Sequence, residues 1–231
     1  MSQNPDIIFF GGVFDPIHIG HMDAVRIVQD EFPKAKIVLV PSFVPPISSE
    51  EIKPVETAFV DRVAMSVVAF DEWPRVNVSS IEEELGVPSY THVTLAALSE
   101  ENPGSSLAWM IGADQLANFL RWSQPRKILE LASLIVLPRP ASSPMDILEI
   151  SKQVASSLGF STTLDETEMR IYLDGANSIY VLDKAPTSIS STEIRKLAAE
   201  DLQKISGKVP PVIMDYIADI GLYQQGSGIE N

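Results

Sequence analysis

Residues 7–21 read IIFFGGVFDPIHIGH, and this stretch decides the fold. Ile7 to Phe10 form a short run of branched and aromatic residues suited to a strand buried on both faces. Gly11 and Gly12 close the strand, and from about His18 the pattern turns helical, with Val25, Val28 and Phe32 repeating at i, i+3 and i+7. Working outward, Lys36 to Val40, Arg75 to Val78, Leu107 to Ile111 and Leu134 to Leu137 repeat the short apolar run. Val60, Val63 and Val67 mark a second helical face by the same spacing. Strands alternating with helices predict an α/β protein with a doubly wound, mostly parallel sheet, whose ligands bind beyond the carboxyl ends of the strands.

The chain has 17 basic and 31 acidic side chains, a formal net charge of −14. That balance excludes a general nucleic-acid surface, which needs a basic face to displace counterions. A small anionic ligand remains compatible where a few cationic groups gather in one cleft. There is no cysteine, so disulfides and thiolate metal sites are excluded. Residues 1–6 lack the basic stretch of a signal peptide, and no apolar run approaches the about 18 residues of a membrane span. The expectation is a soluble, cytoplasmic protein of one domain, residues 1–231. Ser42 to Pro54 and Pro138 to Pro144 read as surface loops, the first of them mobile. Residues 141–176 have the weakest pattern and read as divergent from the core.

At the end of the first strand, two glycines let the backbone approach a ligand without a Cβ. Free amides at the following helix start, with the helix dipole, make an anion site. His18 and His21 are three apart, and share a face if both lie in the first turn, where imidazoles donate to phosphate oxygens. Spacing alone leaves two alternatives open: glycines and histidines that are merely structural, or a metal site on Asp15, His18 and His21. Neither a GxGxxG nor a Walker pattern is present. Downstream, Ile189 to Arg195 place Ser190, Ser191 and Thr192 ahead of a helical run; these hydroxyls suit a cap, a phosphate site or both, with Arg195 one turn on.

Gly11 to His21 resembles the G-G-x-F-D-P-x-H-x-G-H signature of bacterial nicotinate-nucleotide adenylyltransferases, in the HxGH nucleotidylyltransferase superfamily. The stretch 189–195 resembles the same family's I-S-S-T-x-I-R motif. Pro88 to Thr91 is similar to its P-S-Y-T turn, Ile111 to Asp114 to its I-G-x-D turn, and Arg139-Pro140 to its R-P pair. The likeness runs from about residue 7 to residue 223. It implies a Rossmann-like nucleotidylyltransferase fold and adenylyl transfer from ATP to nicotinate mononucleotide, giving nicotinate adenine dinucleotide and pyrophosphate in NAD biosynthesis. It also assigns roles. His18 and His21 are catalytic, at the ATP phosphates. Gly11, Gly12, Val13, Phe14, Gly112, Asp114, Ser190, Ser191, Thr192 and Arg195 bind ATP, and Thr91, Trp122 and Arg139 bind the mononucleotide. Mg²⁺ enters as Mg-ATP, bound mainly through ATP phosphates with few protein ligands. ATP and the mononucleotide are the implied partners, without nucleic acid or membrane; a homo-oligomer is compatible with the sequence.

Two departures stand out. After Pro45-Pro46 the family commonly has His-Lys, where this chain has Ile47-Ser48, with Lys53 further along the loop. Two positions after Thr91 it often has an acidic or amide residue, where Val93 stands here. Four alternatives stand beside this reading: transfer to nicotinamide mononucleotide, a pantetheine-phosphate adenylyltransferase, whose family is shorter and lacks the P-S-Y-T and I-S-S-T-x-I-R combination, a nucleotide-sensing module without turnover, and a metallohydrolase. The last lacks a ligand set, since His92 is the only other histidine.

Overall fold

In the computed structural model, which describes residues 4–46 and 55–224, β1 (Ile7–Gly12) lies inside an eight-stranded sheet. Its register partners are β2 (Lys36–Pro41) on one side and β4 (Leu107–Gly112) on the other, both parallel. Beyond β2 lies β3 (Val76–Val78); beyond β4 lies β5 (Ser133–Leu137), also parallel. The order β3-β2-β1-β4-β5 reverses direction between β1 and β4, which makes their carboxyl ends the switch point where α/β sheets bind ligands.

Consecutive residues of each strand point to opposite faces, so a strand buried on both sides feeds two cores. Ile8, Leu39, Met110 and Ile135 join residues of α1 (Ile19–Glu31), α2 (Phe59–Phe70), α7 (Ser191–Glu200) and α8 (Pro211–Ile220). Phe9, Trp109, Leu134 and Val136 join residues of α3 (Thr91–Glu101), α4 (Ala113–Asn118), α5 (Pro125–Leu131) and α6 (Pro144–Ser157). The weakly patterned region belongs to the same sheet. After α6, β6 (Thr162–Asp165) and β7 (Arg170–Leu173) form an antiparallel hairpin, and β8 (Ser178–Val181) joins it to β5.

Two expectations need correction. Val60 and Val67 face outward, 69% and 47% exposed, while Arg62, Met65, Ser66, Ala69 and Phe70 face inward. The rotation follows from Arg62, whose three hydrogen bonds hold that face against the loops beneath it. The loop after β2, read as mobile, is tied down as far as it is described. Ser42 N–H donates to the Gly12 carbonyl (2.8 Å), Phe43 N–H to buried Glu82 (3.1 Å), and Val44 exchanges bonds with Ser89. Ile47, Ser48 and Lys53 lie outside the described residues. Among the described residues no helix is long and apolar enough to cross a membrane.

Candidate active site

His18 is the N-cap of α1 and His21 its third residue. The His21 N–H donates to His18 Nδ1 and the His18 N–H to His21 Nδ1, both at 3.3 Å. This is the reciprocal arrangement of a capping box, built from two imidazoles where a hydroxyl and a carboxylate usually stand. The rings stack with centroids 3.6 Å apart and planes 12° from parallel. Because each Nδ1 accepts, each neutral ring carries its hydrogen on Nε2. The pair therefore presents two N–H donors side by side. Burial lowers His18 to about 4, and the nearby Arg139 charge pushes the same way. His21 is held well below its ordinary value by burial, then by His18 and Arg139. Both rings are neutral donors at physiological pH.

The loop between β1 and α1 is held from within. Phe14 adopts φ 52°, a left-handed backbone uncommon outside glycine, and its ring meets Phe10 and His21 edge-on at 5.2 and 5.0 Å. The glycines before it serve packing. A Cβ on Gly11 would fall 2.1 Å from the Trp109 indole, and one on Gly12 2.9 Å from the Phe14 ring.

The second motif, far away in sequence, docks on this loop. A Cβ on Gly20 would lie 2.5 Å from the Thr187 carbonyl, so only glycine lets the segment before α7 pass against α1. The Ser191 hydroxyl donates to the Pro16 carbonyl at 3.1 Å, and Arg195 Nη1 to the Asp15 carbonyl at 2.7 Å. Arg195 also pairs with Glu56 at 3.0 Å. Ser190 is the N-cap of α7 without a side-chain cap bond, and Thr192 is half-buried beside it. Ser191 and Arg195 are thus engaged with protein, while the first amides of α7 have no side-chain cap.

The Asp15 carboxylate accepts from the Glu56 N–H (2.9 Å) and the Tyr223 hydroxyl (2.7 Å). Among the described residues no three His, Asp or Glu side chains form a metal cluster. At the ends of β4 and β5, Asp114 and Arg139 pair at 2.8 Å, both half-exposed. Thr91 starts α3, and Trp122 follows α4 with its ring 5.3 Å from Phe119.

Sequence reasoning missed the framework beneath the site. Arg62, 1% exposed, donates to the carbonyls of Val13 (2.7 Å), Thr57 (3.2 Å) and Phe43 (3.4 Å). Its charge sits among Asp15, Tyr223 and Glu82. The available signal was an arginine sharing the helical face of Met65, Ala69 and Phe70.

The amides expected to be free at the start of α1 are taken up within the protein: Ile19 N–H donates to the Lys208 carbonyl and His21 N–H to His18. What the switch point offers instead is the imidazole pair and the uncapped start of α7, a site suited to a nucleotidyltransferase. Consistent with this, residues 9–197 match the cytidylyltransferase-like family model. Over 214 residues the chain is 35% identical to a protein of Aeromonas salmonicida named "Probable nicotinate-nucleotide adenylyltransferase", covering 93% of this chain and 95% of that one. Against the enzyme of the same name from Acidithiobacillus ferrooxidans the identity is 32%, with 96% and 98% covered. The chain belongs to the nicotinate-nucleotide adenylyltransferase family. Its fold is shared with Plasmodium falciparum nicotinic acid mononucleotide adenylyltransferase complexed with NaAD, at TM-score 0.68, 19% identity, and coverage of 95% and 98%.

Proposed function

We propose that the chain, acting as one nucleotidylyltransferase domain, transfers the adenylyl group of ATP to nicotinate mononucleotide, releasing pyrophosphate. The mononucleotide 5′-phosphate oxygen forms a bond to the α-phosphorus in line, and the bond from that phosphorus to the β-phosphate oxygen breaks. No protein nucleophile takes part, so catalysis rests on positioning and on donors already aimed at developing charge. The observation that carries the reading is the mutual cap of His18 and His21, which fixes two neutral Nε2–H donors at the switch point.

Arg139, close enough for its charge to act on both rings, adds a cation on the same side. The backbone of Gly11, Gly12, Val13 and Phe14 and the start of α7, with Ser190 and Thr192, flank the triphosphate. Ser191 and Arg195 support the loop under it, and Arg195 reaches phosphate by exchanging Glu56. Gly112 and Asp114 meet the adenosine; Thr91 and Trp122 meet the pyridine nucleotide. Magnesium enters with the ATP substrate, held through phosphate oxygens. The setting consistent with this chemistry is cytoplasmic.

The test is pyrophosphate release with ATP and each mononucleotide in turn. The expected result is a higher kcat/KM for the nicotinate form, whose carboxylate takes charge-assisted hydrogen bonds. Release with nicotinamide mononucleotide only would reverse the substrate, and none with either would leave a binding module.

A further inference from the structure

His92 is the second residue of α3, directly after Thr91, and only 7% exposed. Its ring lies between two segments that are distant in sequence. On one side the Tyr90 ring faces it at 5.8 Å, 26° from parallel. On the other, Nε2 lies 3.2 Å from the Gln124 side-chain amide. Nδ1 is buried with no hydrogen-bond partner among the described residues.

An imidazole is an expensive filler at such a place, because a buried polar ring needs partners and a leucine would pack the α3–α5 contact without them. What histidine adds is polar contact with the segment after α4, to the Ser123 backbone and, by a direct side-chain bond, to Gln124. That residue holds φ 49° and ψ 54°, a left-handed backbone uncommon outside glycine. Such a conformation persists where neighbouring structure over-determines it. Gln124 ends the segment Trp122–Gln124 and caps α5, so its backbone helps set where Trp122 sits after the single 3₁₀ turn Phe119–Arg121.

We propose that His92 is a positioning residue for the pyridine-nucleotide side of the site, holding the Trp122–Gln124 segment at a set distance from Thr91. The proposal rests on the assignment of Thr91 and Trp122 to the mononucleotide. His92 touches neither substrate; it acts through Gln124.

The test compares His92→Leu, which keeps bulk and removes the bond, with Gln124→Ala, His92→Gln and the His92→Leu/Gln124→Ala double variant. Losing one net hydrogen bond raises the KM for nicotinate mononucleotide about threefold to tenfold. The KM for ATP, kcat and Tm stay near wild type. Glutamine at position 92 reaches the Gln124 amide and restores most of the loss. The double variant loses no more than either single one, because both remove the same bond. An unshifted mononucleotide KM in His92→Leu, equal shifts for both substrates, or additive losses would overturn the proposal while the wild type stays active. Wild-type protein that neither binds nor converts the mononucleotide would overturn the underlying functional reading, and this proposal with it.

Discussion

At the residue scale, the protonation of His18 and His21 turns on their Nδ1 atoms. Each accepts a backbone N–H of the other residue, so protonating either ring places a hydrogen where an amide hydrogen already points. Burial, with the Arg139 charge, also disfavours the charged ring, and His18 falls to about 4 from an ordinary value near 6.5. The unfolded chain takes up this proton as pH falls below about 6.5 and the folded chain does not, so stability is full above that pH and is lost on descent toward 4. The His18 contribution is about 3 kcal/mol across that window, and His21 adds loss of the same sign. His18→Asn keeps an N-cap acceptor without the titration. The expected outcome is a smaller Tm drop between pH 7 and pH 5 in this variant than in wild type; parallel drops would show that folding does not lower the His18 pKa. Activity tests the same donors: His21→Ala should cut kcat by about 10²–10³, the loss for one preorganised donor, with folding checked by circular dichroism.

At the element scale, the site exists because α7 and its leading segment seat on the first turn of α1. Gly20 is the point of closest approach, its absent Cβ 2.5 Å from a backbone carbonyl that has no rotamer to yield. Gly20→Ala must therefore displace the segment that carries Ser190 to Arg195. Overpacking of this kind costs about 1–3 kcal/mol, and the expected signature is a KM for ATP raised well beyond that for the mononucleotide. A KM for ATP equal to wild type would show that the segment does not serve the triphosphate. The elements also differ in how openly the sequence announces them. β1, β2, β4 and β5 are apolar on both faces, so their runs stand out. β6 reads Thr162–Asp165 on the sheet edge, half-exposed, and an edge strand needs no apolar run. The α2 valines misled because helical spacing marks a face without saying which way it turns, and Arg62 decided that. The two motifs proposed for phosphate stand out in the sequence by residue types at glycine and helix-start positions. Their mutual contact does not, since Gly20 against Thr187 is a contact across 167 positions that only the folded chain displays.

At the scale of the whole molecule, a chain with net charge −14 buries Arg62 as completely as its core leucines. Arg62 joins the loop after β1, through Val13, to the loop after β2, through Phe43, and to the segment ahead of α2, through Thr57. The same cluster reaches the far end of the chain, where the Tyr223 hydroxyl donates to Asp15 and receives a bond from Thr57. Removing the guanidinium leaves three carbonyls without that donor and the buried acids Asp15 and Glu82 without its charge. Breaking one side of such a buried set costs about 3–5 kcal/mol, which for a chain of this size lowers Tm by roughly 10 °C. Arg62→Met should show that fall. Arg62→Lys should recover little of it, because one ammonium on a flexible stem cannot span three carbonyls that a planar fork reaches together. Lys204→Met, which breaks only the exposed pair with Glu200, should leave Tm unchanged and so controls for loss of a positive charge. Thermal unfolding of the three variants side by side decides it. If Arg62→Lys matches wild type, charge alone holds the loops together; if Arg62→Met does, the histidine loop is positioned without this clamp.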